Sequence, residues 1–92
     1  MDEAAPNFVF QIVAAHDCDA LMRVLGPFAL VAATLRSAQL TRGDDHVSIR
    51  IETEGLDARR AQTILHRLEN MPLVRGVGFG WLGANVSEGP SP

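Results

Sequence analysis

The sequence predicts an α+β sandwich: a four-stranded antiparallel sheet with two helices packed on one of its faces. Three observations predict it. Two stretches carry apolar residues at i, i+3, i+4 and i+7, the spacing of one helix face. One stretch alternates apolar and polar residues as a half-buried strand does, and breaker residues divide the chain so that its order reads strand, helix, strand, strand, helix, strand.

The first strand spans Phe8 to Ala14, with Phe8, Phe10 and Ile12 on one face and Val9, Gln11 and Val13 on the other. Its nearly unbroken apolarity suits a central strand. Asp17 and Asp19 are residue types that cap helix N-termini, and Leu21, Val24, Leu25 and Phe28 then form the stripe of a first helix starting near Asp19. Gly26-Pro27 removes a backbone donor and strands the carbonyl of Arg23, which predicts a kink or an early stop. Leu35 to Arg42 reads as a second strand whose poor alternation indicates a bulge or an edge position.

Arg42-Gly43-Asp44-Asp45 is a turn. In the third strand Val47, Ile49, Ile51 and Thr53 alternate with Ser48, Arg50, Glu52 and Glu54. Gly55 breaks it, Asp57 can cap, and Ala61, Ile64, Leu65 and Leu68 mark a second helix that ends near Asn70 with Pro72 beyond. Leu73 to Leu82 is the last strand, with Val77, Phe79 and Trp81 on one face and Gly76, Gly78 and Gly80 on the other. Two similar halves in this order make a ferredoxin-like βαββαβ sandwich over residues 8–82. Residues 1–7 and 83–92 carry too little apolar surface to order themselves and are expected to be a flexible N-terminus and a disordered tail. Because both helices take one sheet face, Val9, Val13 and the glycines of the last strand are expected to leave a partly apolar open face suited to a second subunit.

Ninety-two residues with 47% hydrophobic and 21% charged side chains fit one globular domain. A net charge of −3 argues against a nucleic-acid partner, which needs a basic face for phosphates. All eight cationic side chains are arginine, a bias attributable first to genome base composition. The apolar run at the first strand is too short to span a membrane and follows Asp2 and Glu3 rather than a positive leader. A single Cys18 excludes an intrachain disulfide, so a cytoplasmic location is expected.

The densest cluster of polar groups is His16-Asp17-Cys18-Asp19, at the elbow from the first strand to the first helix. A metal there needs three or four side chains to converge; neighbours in an elbow are expected to diverge, and no second Cys or His stands at ligand spacing. Helix capping by Asp17 or Asp19, with Cys18 half buried, is the simpler expectation. Catalysis by Cys18 with His16 is opposed by the flanking carboxylates and by the lack of a group to orient the imidazole. No catalytic residue, metal or cofactor is therefore assigned. His46 and His66 read as solvated surface residues, and Phe79 with Trp81 as core or subunit contact.

Ala20-Leu21-Met22-Arg23-Val24-Leu25-Gly26-Pro27-Phe28 resembles the first helix of ACT domains. It is most similar to that of the small regulatory subunit of acetohydroxyacid synthase (acetolactate synthase), where Asn-x-x-Gly-Ala-Leu-x-Arg-Val-x-Gly-x-Phe is typical. Ala20, Leu21, Arg23, Val24, Gly26 and Phe28 match, and the element order is also that family's. The resemblance implies a noncatalytic regulatory domain that forms a homodimer with a continuous sheet. It implies a branched-chain amino acid bound at the interface, or contact with a biosynthetic enzyme's large subunit. The ligand contacts it implies are His16, Asp17, Cys18, Asp19, Ala20 and Leu21 from the elbow, with Thr34 and Leu35 from a neighbour's strand. His16 stands where the family has asparagine and Asp19 where it has glycine, and Ala32-Ala33-Thr34-Leu35 stands where it often has Gly-x-Asn-Ile. A carboxylate at residue 19 penalises a ligand carboxylate by bulk and by like charge. It could instead attract an ammonium group, or cap the helix of a domain that has kept the dimer and lost the pocket. The rival reading is thus a ligand-free oligomerisation or partner-binding module.

Overall fold

A computed structural model describes residues 7–81. The expectations for residues 1–6, for Leu82 and for the tail from Gly83 lie outside the described residues. The elements are β1 (Phe8–Ala15), α1 (Ala20–Leu30), β2 (Thr34–Arg42), β3 (His46–Glu54), α2 (Ala58–Glu69) and β4 (Val74–Trp81). They form one antiparallel sheet in the order β2-β3-β1-β4. The predicted sandwich is therefore the observed one, with the most apolar strand, β1, inside the sheet.

Burial along β1 and β3 follows the two-residue pleat. Phe8, Phe10, Ile12 and Ala14 of β1 and Val47, Ile49, Ile51 and Thr53 of β3 are buried beneath the helices. The Thr53 hydroxyl is satisfied by donating to the Phe8 carbonyl at 3.3 Å. Phe10 meets Phe28 of α1 edge to face at 5.0 Å and Phe79 of β4 at 5.0 Å, while Phe8 stacks on Phe79 at 5.1 Å. Phe79 is thus part of the core. Val24 and Phe28 from α1 and Ala61, Ile64 and Leu68 from α2 complete it, with Leu21, Leu25 and Leu65 half buried at its margin.

Edge strand β2 shifts register between Leu35 and Ser37, so Arg36 is bulged out, as its broken alternation predicts. At Gly55 the chain leaves β3 with φ 67°, a left-handed conformation that glycine adopts without steric cost.

Of the kink or early stop expected at Gly26-Pro27, the early stop is corrected: α1 runs through Pro27 to Leu30. Proline removes one backbone bond, and burial of Val24, Pro27 and Phe28 against the sheet outweighs it. The helix ends instead at Ala32, with φ 56°. The Ala33 amide donates to the Phe28 carbonyl at 2.9 Å and the Ala32 amide to the Ala29 carbonyl at 3.0 Å. This is the Schellman pattern, with alanine at the position that favours glycine.

Candidate functional site

The elbow from Ala15 to Leu21 is built by two constraints. The Ala15 amide donates to the Leu73 carbonyl at 2.8 Å, which ties the end of β1 to the loop before β4. The chain then turns sharply, with the Ala20 amide donating to the Asp17 carbonyl at 3.1 Å, and enters α1. Ala20 is wholly buried at the start of the helix; His16, Asp17 and Cys18 are exposed, and Asp19 and Leu21 are half buried.

The capping expectation is corrected. Asp19 occupies the N-cap position of α1 but makes no side-chain cap hydrogen bond. Its Oδ2 instead accepts from Arg23 Nε at 2.8 Å, one helical turn on. That bond, more than any other influence, holds the Asp19 carboxyl below the usual carboxylate range, and it raises the Arg23 guanidinium in turn. The other oxygen, Oδ1, is closed off from solvent without a partner among the described residues. Asp17 Oδ1 accepts a long 3.5 Å bond from the Asp19 amide, and Cys18 is exposed rather than half buried. The first turn of α1 therefore keeps its amides free of a side-chain acceptor, beside a carboxylate already paired to arginine.

The expected divergence of these side chains is also corrected. The tight turn folds Asp17 back over Asp19, so the potential ligand atoms of Asp17, Cys18 and Asp19 all lie within 4.8 Å of one another. Their exposure and the Asp19–Arg23 pair make the cluster an acidic corner at the surface.

Thr34 and Leu35 lie elsewhere. Ala15 pairs with His46 at one end of β3, whereas Thr34 pairs with Glu54 at the other. Eight residue steps along β3 separate the two ends, about 26 Å at strand rise. One chain thus brings together the elbow residues alone. The open sheet face carries exposed Val13 and half-buried Val9, but beside them lie Gln11 and an Arg50–Glu52 ion pair at 3.1 Å, so it is mixed rather than apolar. His46 is half covered: its ring approaches Gly43 and its Nδ1 lies 3.2 Å from Asp45 Oδ1.

One structural residue was hidden in the sequence. The Arg60 guanidinium donates to the Val31 carbonyl at 3.0 Å, the Gly55 carbonyl at 3.4 Å and Asp57 Oδ1 at 3.3 Å, joining the end of α1 to the start of α2. Adjacent Arg59 and Arg60 look alike in the sequence; only the helix phase, with Ala61 and Ile64 inward, separates them.

Two helices on one face of a β2-β3-β1-β4 sheet, with a polar elbow leading into the first helix, define a small ferredoxin-like α+β module. A family model described as "ACT-like domain" matches residues 2–84, and the chain belongs to that family, whose domains are typically regulatory and ligand-binding. Its fold is similar to that of the C-terminal domain of the MgtC protein from Mycobacterium tuberculosis, with a TM-score of 0.69, 16% identity and coverage of 88% of this chain and 92% of that one. It is equally similar to the ACT domain from GTP pyrophosphokinase of Chlorobium tepidum, with a TM-score of 0.69, 14% identity and coverage of 79% and 95%. A formyltetrahydrofolate deformylase from Pseudomonas putida KT2440 aligns with a TM-score of 0.58 and 13% identity over 86% of this chain but only 29% of the enzyme. Among curated protein sequences none matches.

Proposed function

We propose that this domain is a noncatalytic regulator that pairs with a second copy along β2 and senses a small amino acid between the elbow of one copy and β2 of the other. The observation that carries the proposal is the open edge. β2 has β3 on one side only, and its Leu35 and Leu40 are 38% and 39% exposed. Pairing two β2 strands antiparallel about Ala38 sets Thr34 opposite Arg42 of the partner subunit. Arg42 pairs with Val47 at the elbow end of the sheet. A twofold dimer thus carries Thr34 and Leu35 of the partner subunit to the end of the sheet where His16, Asp17 and Asp19 stand, removing the separation along the strands and leaving about three strand spacings, roughly 14 Å, across the sheet.

Free amides in the first turn of α1 suit an amino-acid carboxylate, and the negative charge of Asp19 beside them suits its ammonium group. The narrower role, as the partner of a biosynthetic enzyme such as the large subunit of acetohydroxyacid synthase, rests on the motif of the first helix. A second reading has one observation in its favour: the Asp19–Arg23 pair supplies the first turn with an anion from the chain itself, as in a ligand-free oligomerisation module.

A thermal-shift screen against the twenty amino acids, with sedimentation on the same sample, tests both. A selective rise in Tm with valine, leucine or isoleucine supports sensing, its size following RT ln(1 + [L]/Kd). A stable dimer with no shift supports the ligand-free module, and a monomer without a shift overturns both.

A further inference from the structure

The layer of helices carries a concavity apart from the elbow and the β2 edge. Between α1 and α2 lies a solvent-open cleft of about 1160 Å³, walled by Gly26, Pro27 and Leu30 on one side and by α2 from Arg59 to Asn70 on the other, with Met71 at one end. The stretch from Arg59 to Asn70 covers about three helical turns, roughly 17 Å. This volume is above the range of typical small-molecule pockets, and the cleft is a trough rather than an enclosure.

Its two walls differ in chemistry. On α1, Gly26 and Leu30 of the lining stand one turn apart on an outward stripe that continues beyond the cleft to Met22. Met22 is 72% exposed and Leu30 is 62% exposed, while a Cβ built on Gly26 meets nothing within 4 Å. The glycine is what deepens the trough. On α2, Arg59 and Arg67 line the opposite wall with His66, and among the described residues no acidic one lines the cleft, although the chain as a whole carries a net charge of −3. Among the described residues neither arginine forms an ion pair, nor do Arg36 and Arg42 on β2, whereas Arg23, Arg50, Arg60 and Arg75 each do.

We propose that this cleft receives an acidic amphipathic helix from a partner protein, its apolar stripe on Pro27, Leu30 and Met71 and its carboxylates toward Arg59 and Arg67. The two arginines are eight residues apart, about 12 Å along α2, which calls for carboxylates about two turns apart on the incoming helix. Apolar burial supplies affinity and the arginines supply orientation and encounter rate. A twofold copy of this domain fits less well, because it would bring the same two arginines toward the same cationic wall. A lipid surface also fits less well, since a plane does not fill a trough.

The test uses the isotope-labelled domain and a synthetic fourteen-residue helix with leucines at i, i+4, i+7 and i+11 and glutamates flanking them. Controls are the same peptide with lysines for glutamates, and vesicles of phosphatidylglycerol. Expected is saturable binding of the glutamate peptide, with amide shifts confined to residues of the cleft. Arg59→Glu with Arg67→Glu weakens it about tenfold, the scale of two exposed ion pairs. Gly26→Leu, whose Cβ meets nothing within 4 Å and which raises helix propensity, fills the trough and abolishes binding in a folded protein.

Equal binding of the two peptides, shifts at the elbow or β2, or no binding at millimolar peptide overturns the proposal. Preferential binding of the vesicles through the same residues overturns it in favour of a membrane. Self-association that Gly26→Leu abolishes overturns it in favour of a second copy.

Discussion

Ala32 holds a left-handed backbone conformation, with φ 56°, at the exit of α1. For alanine this costs on the order of 1 kcal/mol, and glycine relieves most of it at the expense of a more flexible unfolded chain. Ala32→Gly is expected to raise stability by about 0.5 kcal/mol in urea unfolding, and a loss of stability would show that the turn relaxes in solution. At the elbow, Asp19→Gly removes the carboxylate from the first turn and releases Arg23 from its 2.8 Å pair. If the pocket of the family persists, this variant responds to branched-chain amino acids more strongly than the parent in the thermal-shift assay. An unchanged response in a folded variant sinks that reading.

Helix α1 is fastened mainly by Phe28, which is 1% exposed and meets Phe10 edge to face. Phe28→Ala should cost about 3–5 kcal/mol, a large part of the stability of a domain this size, and should show as a lowered urea midpoint. Helix α2 starts on Asp57, whose Oδ1 accepts from the Arg60 amide at 2.9 Å. That bond is the main reason its carboxyl lies below the ordinary value of 3.8. A carboxyl depressed in the folded state contributes stability that is complete above the unfolded value and is lost as pH falls through the folded one. Asp57→Ala is therefore expected to lower Tm at neutral pH, and the difference from the parent should shrink below about pH 4. A difference that is constant down to pH 2 would remove the carboxylate from the account.

At the scale of the molecule, the sheet has two unpaired edges among the described residues, and the β2 edge bears exposed Leu35 and Leu40. Leu40→Arg puts a charge on that edge without touching the buried cluster. It is expected to convert a sedimenting dimer to monomer with little loss of Tm, and an unaltered dimer would move the interface to β4 or the open sheet face. Sequence spacing alone carried the element order, the central place of β1, the irregular second strand and most of the core. These depend on periodicity, which each stretch carries within itself. It missed Leu56, fully buried between Gly55 and Asp57, because a lone apolar residue between two breakers has no periodicity.

What the sequence by itself determined is the sandwich and the buried faces of β1, β3 and the two helices, since the two-residue pleat and the 3.6-residue turn place their apolar side chains relative to one another. What the tertiary structure decided is whatever depends on the surroundings of a residue. Packing against the sheet carried α1 through Pro27, and the fold of the elbow gave Asp19 to Arg23 instead of to the helix cap. Strand pairing put Thr34 at the far end of the sheet from His16, and the spacing of two helices opened a cleft between Leu30 and Arg67. A local pattern fixes orientation along one segment; distances between segments are set only when the segments pack.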